Sequence, residues 1–182
     1  MVHSRETVAV HAEIAFRVVG PDDADALADL FDDIDSTFFR PHPFTADEAR
    51  RIAHDTGKDV YALLYLDARP VVYGMLRGWD EGYATPSLGI ATRTDSRRRG
   101  LGRRMMQYLH DLARDRGSTE VRLRVHERNM AARHLYKSLG YEYAGVDRGE
   151  LVMTLDVSAA GAGDADRQTL RGDRVSDPER AR

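Results

Sequence analysis

The sequence predicts one domain of the mixed α/β class, a mostly antiparallel sheet flanked by about four helices. Three observations carry this. Short runs alternate apolar and polar residues as half-buried strands do, four longer stretches repeat apolar residues at helical spacing, and a glycine-containing turn, Arg97-Arg98-Arg99-Gly100-Leu101-Gly102, stands between one such strand and one such helix. With 182 residues and 42% hydrophobic content, the chain is long enough for one core and too short for two domains of ordinary size.

Ile14-Ala15-Phe16-Arg17-Val18-Val19 reads as the first strand, ended by Gly20-Pro21, with Asp22 or Asp23 placed to cap a helix through Leu27, Leu30 and Phe31. Phe38-Phe39-Arg40-Pro41-His42-Pro43-Phe44 is too proline-rich for either regular state. Thr45-Ala46-Asp47-Glu48 has the spacing of a capping box that opens a second helix to about His54. Residues 59–66 and 70–78 alternate and meet at Asp67-Ala68-Arg69-Pro70, which reads as a hairpin, and Trp79 to Pro86 leads to a strand ending at Thr92. Together these form an antiparallel meander.

Leu101, Met105, Leu109, Leu112 and Ala113 mark the third helix. In the next strand Val121, Leu123 and Val125 point one way, and Arg122, Arg124 and His126 the other. A fourth helix runs from about Asn129 to Leu139 and stops at Gly140, and Tyr141–Val146 and Leu151–Val157 form a closing pair of strands. The domain is expected over residues 13–157, after a leader at 1–12. Over 158–182 Gly, Ala, Asp and Arg dominate, with Leu170 and Val175 the only large apolar residues, so a disordered tail is expected.

The 27 basic and 30 acidic residues leave a formal charge of −3, which gives no global attraction to nucleic acid or an anionic membrane. The run Arg97 to Arg104 is not interleaved with aromatic residues as a nucleic-acid stripe would be. Zero cysteines exclude disulfides, a thiol nucleophile and thiolate metal sites, and no metal is expected. The first residues lack the apolar run of a signal peptide and no segment approaches the ~20 apolar residues of a membrane span, so a soluble, cytoplasmic protein is expected.

The turn at 97–102 has the chemistry of a diphosphate site. Gly100 and Gly102 let backbone N–H groups approach an anion at positive φ without steric cost, the following helix presents unpaired donors and a partial positive charge, and Arg97, Arg98, Arg99, Arg103 and Arg104 surround it with forked cations. Arg97-x-x-Gly100-x-Gly102, followed by Asn129, Ala132, Leu135, Tyr136, Leu139, Gly140 and Tyr141 in order, resembles the GNAT superfamily of acetyl-CoA-dependent N-acetyltransferases over roughly residues 13–157.

That resemblance implies acetyl-CoA as cosubstrate and direct acetyl transfer to a primary amine through a tetrahedral intermediate. It places the pyrophosphate on Arg97, Arg98, Arg99, Gly100, Leu101, Gly102 and Arg103. The pantetheine arm falls along the backbone of Ile90, Ala91 and Thr92, as if adding a strand. Asn129, a helix cap by position, also holds the cofactor by resemblance, and Tyr136 donates a hydrogen bond to the departing sulfur.

An amine of lysine type is free base in only roughly one molecule in a thousand at neutral pH, so a proton acceptor is needed. Ribosomal-protein-type relatives carry a glutamate five residues before the asparagine, where this chain has Arg124. Glu81, Asp80, His42, His126 and Glu127 are the candidate bases, with Glu81 and His42 foremost, and the sequence alone does not choose. Arg124 and His126, on the polar strand face, are candidate acceptor-binding residues that would suit a phosphate or carboxylate, unless local acids pair with them. A small-molecule amine or amino sugar is therefore the expected acceptor. The alternatives are a peptide or protein amine, or a non-catalytic acyl-CoA sensor needing neither Tyr136 nor a base. A homodimer is compatible with all three.

Overall fold

The computed structural model describes residues 12–158. The leader expected over 1–12 and the tail over 158–182 lie almost entirely outside the described residues. In chain order the elements are β1 (Ile14–Val18), α1 (Ala24–Asp32), α2 (Ala46–Ala53), β2 (Val60–Leu66), β3 (Arg69–Arg77), β4 (Ser87–Thr92), α3 (Leu101–Asp115), β5 (Glu120–Val125), α4 (Met130–Ser138), β6 (Glu142–Asp147) and β7 (Glu150–Asp156). The strands form one seven-stranded sheet ordered β1-β2-β3-β4-β5-β7-β6. Every neighbouring pair is antiparallel except β4 and β5.

Helices cover both faces of the sheet, which is why its central strands are apolar throughout rather than alternating. On β2, Val60, Ala62 and Leu64 join the core under α3, with Met105, Met106 and Leu109, while Tyr61 and Leu63 join the core under α1 and α2, with Leu27, Phe31 and Ile52. The β2–β3 hairpin turns on Asp67 (φ +50°) and Ala68 (φ +64°), both left-handed, the geometry that matches strand twist in a two-residue loop. Asp67 fixes β1 beside it, exchanging 2.9 Å bonds with the backbone of Glu13.

The caps differ in part from expectation. Thr45 Oγ1 accepts from the Glu48 N–H at 3.2 Å, but the Glu48 carboxylate turns to Arg51 (2.7 and 3.0 Å) instead of closing the box. Neither Asp22 nor Asp23 caps α1 with its side chain. The buried Asp23 carboxylate instead accepts from the Gly20 N–H (3.0 Å), Arg17 (2.8 Å) and the Tyr65 hydroxyl (3.2 Å), because an ion pair joining β1, the turn and β2 satisfies a buried charge better than one amide does. Asn129 caps α4 by accepting from the Ala132 N–H at 3.2 Å, and Gly140 (φ +92°) ends it.

Among the described residues no helix is long and apolar enough to cross a membrane. The seating of α3 on β3 depends on Gly74, where a Cβ would lie 2.8 Å from Met105 Sδ and 2.9 Å from both Met105 Cγ and Leu109 Cδ1. Gly74→Val is expected to destabilise the domain by about 1–3 kcal/mol through overpacking, read as a lower urea midpoint. An unchanged midpoint would mean that α3 does not sit this close to the sheet.

Candidate active site

β4 and β5 pair only where Ser87 meets Arg122, with the Arg122 N–H donating to Pro86 O at 3.0 Å. Past that point the two parallel strands separate. The edge of β4 from Gly89 to Thr92 borders a cavity of about 760 Å³, walled also by the N-terminus of α3, the start of α4 and the segment from Ile34 to Pro41.

At the α3 end, Gly100 (φ +75°) and Arg98 (φ +60°) are left-handed, and such changes of hand turn successive N–H groups to one side. The Leu101, Gly102 and Arg103 N–H groups have no acceptor within the helix, whose first bond is from the Arg104 N–H to Gly100 O at 3.2 Å. Gly102 is helical rather than left-handed. A Cβ there would lie 3.5 Å from Ile90 Cδ1 and 3.6 Å from Leu135 Cδ2, which is ordinary contact, so only Gly100 needs glycine for its backbone. Arg97 is 3.6 Å from Asp35, Arg103 bonds Ser138 Oγ, and Arg98 lines the cavity without an ion pair to any described residue. Arg99 does not reach the wall.

The turn leading to Gly100 is clamped by a residue that sequence reasoning passed over. Arg93 is 2% exposed and bonds Pro70 O (3.2 Å), Asp29 (2.6 Å) and Asp33, while Thr94 bonds Asp33 O through its N–H and hydroxyl. Its one signal is a charge placed directly after an apolar strand.

Tyr136 lines the cavity, and its hydroxyl makes no hydrogen bond to a described residue. Burial pushes its pKa up to about 12, so it keeps its proton. Its ring rests 5.8 Å from that of Tyr141, whose hydroxyl lies 2.8 Å from His110 Nε2. Burial pushes His110 down to about 4 and leaves it neutral.

The two foremost bases are not at the cavity. His42 is packed against Phe31, Phe39, Phe44 and Tyr73, with Nδ1 2.9 Å from Pro43 O and Nε2 3.0 Å from the Tyr73 hydroxyl. The carbonyl requires a proton on Nδ1, so Nε2 accepts from Tyr73 and no lone pair is free; burial also lowers the pKa. Glu81 is exposed on the turn after β3, away from the wall, and neighbouring Asp80 accepts from the Lys58 N–H at 2.6 Å. Glu127 is not on the wall either.

The polar face of β5 is largely partnered. Arg122 stacks over Tyr83 at 5.6 Å, and Arg124 reaches the wall but pairs with Asp147 at 3.1 Å. His126 accepts from the Arg128 N–H at 3.1 Å and lies 5.3 Å from the Phe38 ring, and it is not among the residues on the wall. Among the described residues two carboxylates line the cavity, Asp35 and Glu150. Asp35 accepts from the Thr37 hydroxyl and N–H, which hold its pKa below the usual range. Among the described residues no group of three or more His, Cys, Asp or Glu is placed to hold a metal.

The model of the acetyltransferase (GNAT) family matches residues 25–141. Over 59 residues, 32% of the chain, the sequence is 42% identical to the [ribosomal protein bS18]-alanine N-acetyltransferase of Salmonella typhimurium, and the match spans 40% of that relative's length. Among solved structures, a GNAT-family acetyltransferase from Streptococcus pneumoniae superposes with a TM-score of 0.68 at 19% identity, covering 79% of this chain and 99% of that one. The PaiA N-acetyltransferase of Thermoplasma acidophilum, in complex with coenzyme A, gives 0.64 at 13% identity with 79% and 99% covered. At such identities the likeness shows the fold.

His110 gives the Tyr141–Tyr136 support a pH signature. With a folded pKa of about 4 against about 6.5 unfolded, the unfolded chain binds more protons in that interval, so stability falls as pH drops below about 6.5 and the loss is complete below about 4, roughly 3 kcal/mol in all. Against His110→Gln, the wild type should lose this increment between pH 7 and 4 in denaturant unfolding. A difference independent of pH would overturn the assignment.

Proposed function

This chain belongs to the acetyltransferase (GNAT) family, and we propose that its domain, residues 13–157, works in the cytoplasm as an N-acetyltransferase that moves acetyl from acetyl-CoA directly to the primary amine of a small acid-bearing molecule or amino sugar. The observation that carries this is the convergence of three things on one cavity: the strand edge of β4 that β5 leaves unpaired, the open first turn of α3, and the unpartnered hydroxyl of Tyr136.

The residues suit the cosubstrate. N–H groups of Leu101, Gly102 and Arg103, with Arg97 and Arg98, would hold the pyrophosphate. Ile90, Ala91 and Thr92 would bond the pantetheine amides in place of a neighbouring strand, with Asn129 alongside. Acetyl-CoA supplies the activated acyl group as thioester. Tyr136 faces the leaving sulfur as a donor. Moving its proton fully from a group at about 12 to a thiolate near 8.5 would be uphill by about 5 kcal/mol, so its role is a hydrogen bond that stabilises developing charge.

For the acceptor, Phe38 meets His126 beside the cavity and narrows it toward compact amines. Arg40 and Arg128 line the wall without ion pairs to described residues and favour a carboxylate or phosphate. Arg124, engaged by Asp147, has less charge to offer. A second reading, an N-terminal peptide amine, is favoured by the similarity to the ribosomal-protein alanine acetyltransferase. Arg124 in the place of that type's glutamate weighs against it.

The deciding experiment measures CoA thiol released from acetyl-CoA with amino acids, amino-sugar phosphates, neutral amines, polyamines and N-terminal peptides. Release with the acid-bearing small amines supports the proposal, preference for peptides supports the second reading, and tight binding without release to any amine marks a sensor. Tyr136→Phe should lower kcat about 10–100-fold with the dissociation constant of acetyl-CoA unchanged; equal losses in both would remove Tyr136 from the chemistry. Gly100→Val should weaken CoA binding at least about tenfold, given the strain of a β-branched residue at positive φ, while calorimetry on Gly102→Ala should show near-native affinity. The opposite order would displace the pyrophosphate from this turn.

A further inference from the structure

Resting on the acetyltransferase reading above, we propose that Glu150, at the start of β7, is the general base that takes a proton from the acceptor ammonium. Four observations converge on it. Of the two carboxylates on the cavity wall, Asp35 is engaged by Thr37 and Arg97, whereas Glu150 makes no hydrogen bond or ion pair with a described residue. The other acidic and imidazole candidates lie off the wall, and His42 has both ring nitrogens occupied.

The third observation is the register. Arg124, which lines the cavity from β5, pairs across the sheet with Val152, and Glu150 lies two residues before Val152, hence on the same face of the sheet as Arg124. Fourth, Arg124, the cation on the same face, pairs with Asp147 and not with Glu150.

The protons balance. Glu150 carboxylate accepts one proton from R–NH3⁺ and later passes it to solvent. The free amine forms the C–N bond to the thioester carbon, the tetrahedral intermediate collapses with cleavage of the C–S bond, and the second nitrogen proton goes to the departing sulfur, which Tyr136 steadies by its hydrogen bond. The products are the amide, CoA thiol and one proton.

The test compares wild type with Glu150→Gln, an isosteric change, using the best amine from the panel. At pH 7 kcat/KM should fall about 10²–10⁴-fold while calorimetry gives the same affinity for acetyl-CoA. The deficit should shrink as pH rises toward the amine's own pKa, because free amine then needs no base, and Glu150→Asp should recover part of the rate. A Gln variant of wild-type rate, or one whose deficit is the same at every pH, overturns the inference and leaves the acetyltransferase reading standing. A wild-type protein that releases no thiol with any amine overturns both.

Discussion

The divergence of β4 from β5 is the constraint on which the rest of the site depends. Parallel neighbours normally share a ladder along their length, and here they share one register pair at Ser87 and Arg122. An unpaired strand edge inside a protein is costly unless something accepts its hydrogen bonds. The free edge of β4 therefore offers backbone donors and acceptors to the cavity. Antiparallel partners, β3 beyond β4 and β7 beyond β5, hold each strand from its outer side, so the gap stays open without either strand fraying.

Charge is distributed so that the arginines near this gap do different work. Arg93, buried beneath the turn, has every donor group met by Asp29, Asp33 or Pro70 O and behaves as a fastener between α1 and the loop. Arg97 and Arg103 are tethered at the rim, and Arg98, Arg40 and Arg128 have no ion pair with a described residue. A strand-to-helix turn with this many cations would repel itself in an apolar setting. At the mouth of an open cavity the repulsion is screened by water, and an anion relieves it.

Sequence reasoning read most of the fold because its signals are local: alternation on β5, helical spacing on α3, Asn129 at a cap, Gly140 at a stop. It read the strand, turn and helix around Gly100 for the same reason. It failed at positions decided by contacts between distant segments. His42 looks reactive in a loop of prolines and aromatics, and only tertiary packing commits its two nitrogens to Pro43 and Tyr73. Asp23 has cap spacing, yet Arg17 and Tyr65 outcompete the helix for its oxygens. Glu81 is close in sequence to β4 but stays on an exposed turn. Glu150 carries no motif, and its approach to the cavity exists only once β7 inserts between β5 and β6.

Two sides of one cavity are thus drawn from separate stretches of chain. Residues 97–103 and the head of α4 face one end, and the 34–41 connection with the start of β7 faces the other. Because the first set is fixed by helix ends and the second by an irregular segment between α1 and α2, drift in the second can reshape one end of the cavity while the end proposed to hold the donor is inherited intact. A lineage built on this scaffold can change its diet without relearning how to hold its fork.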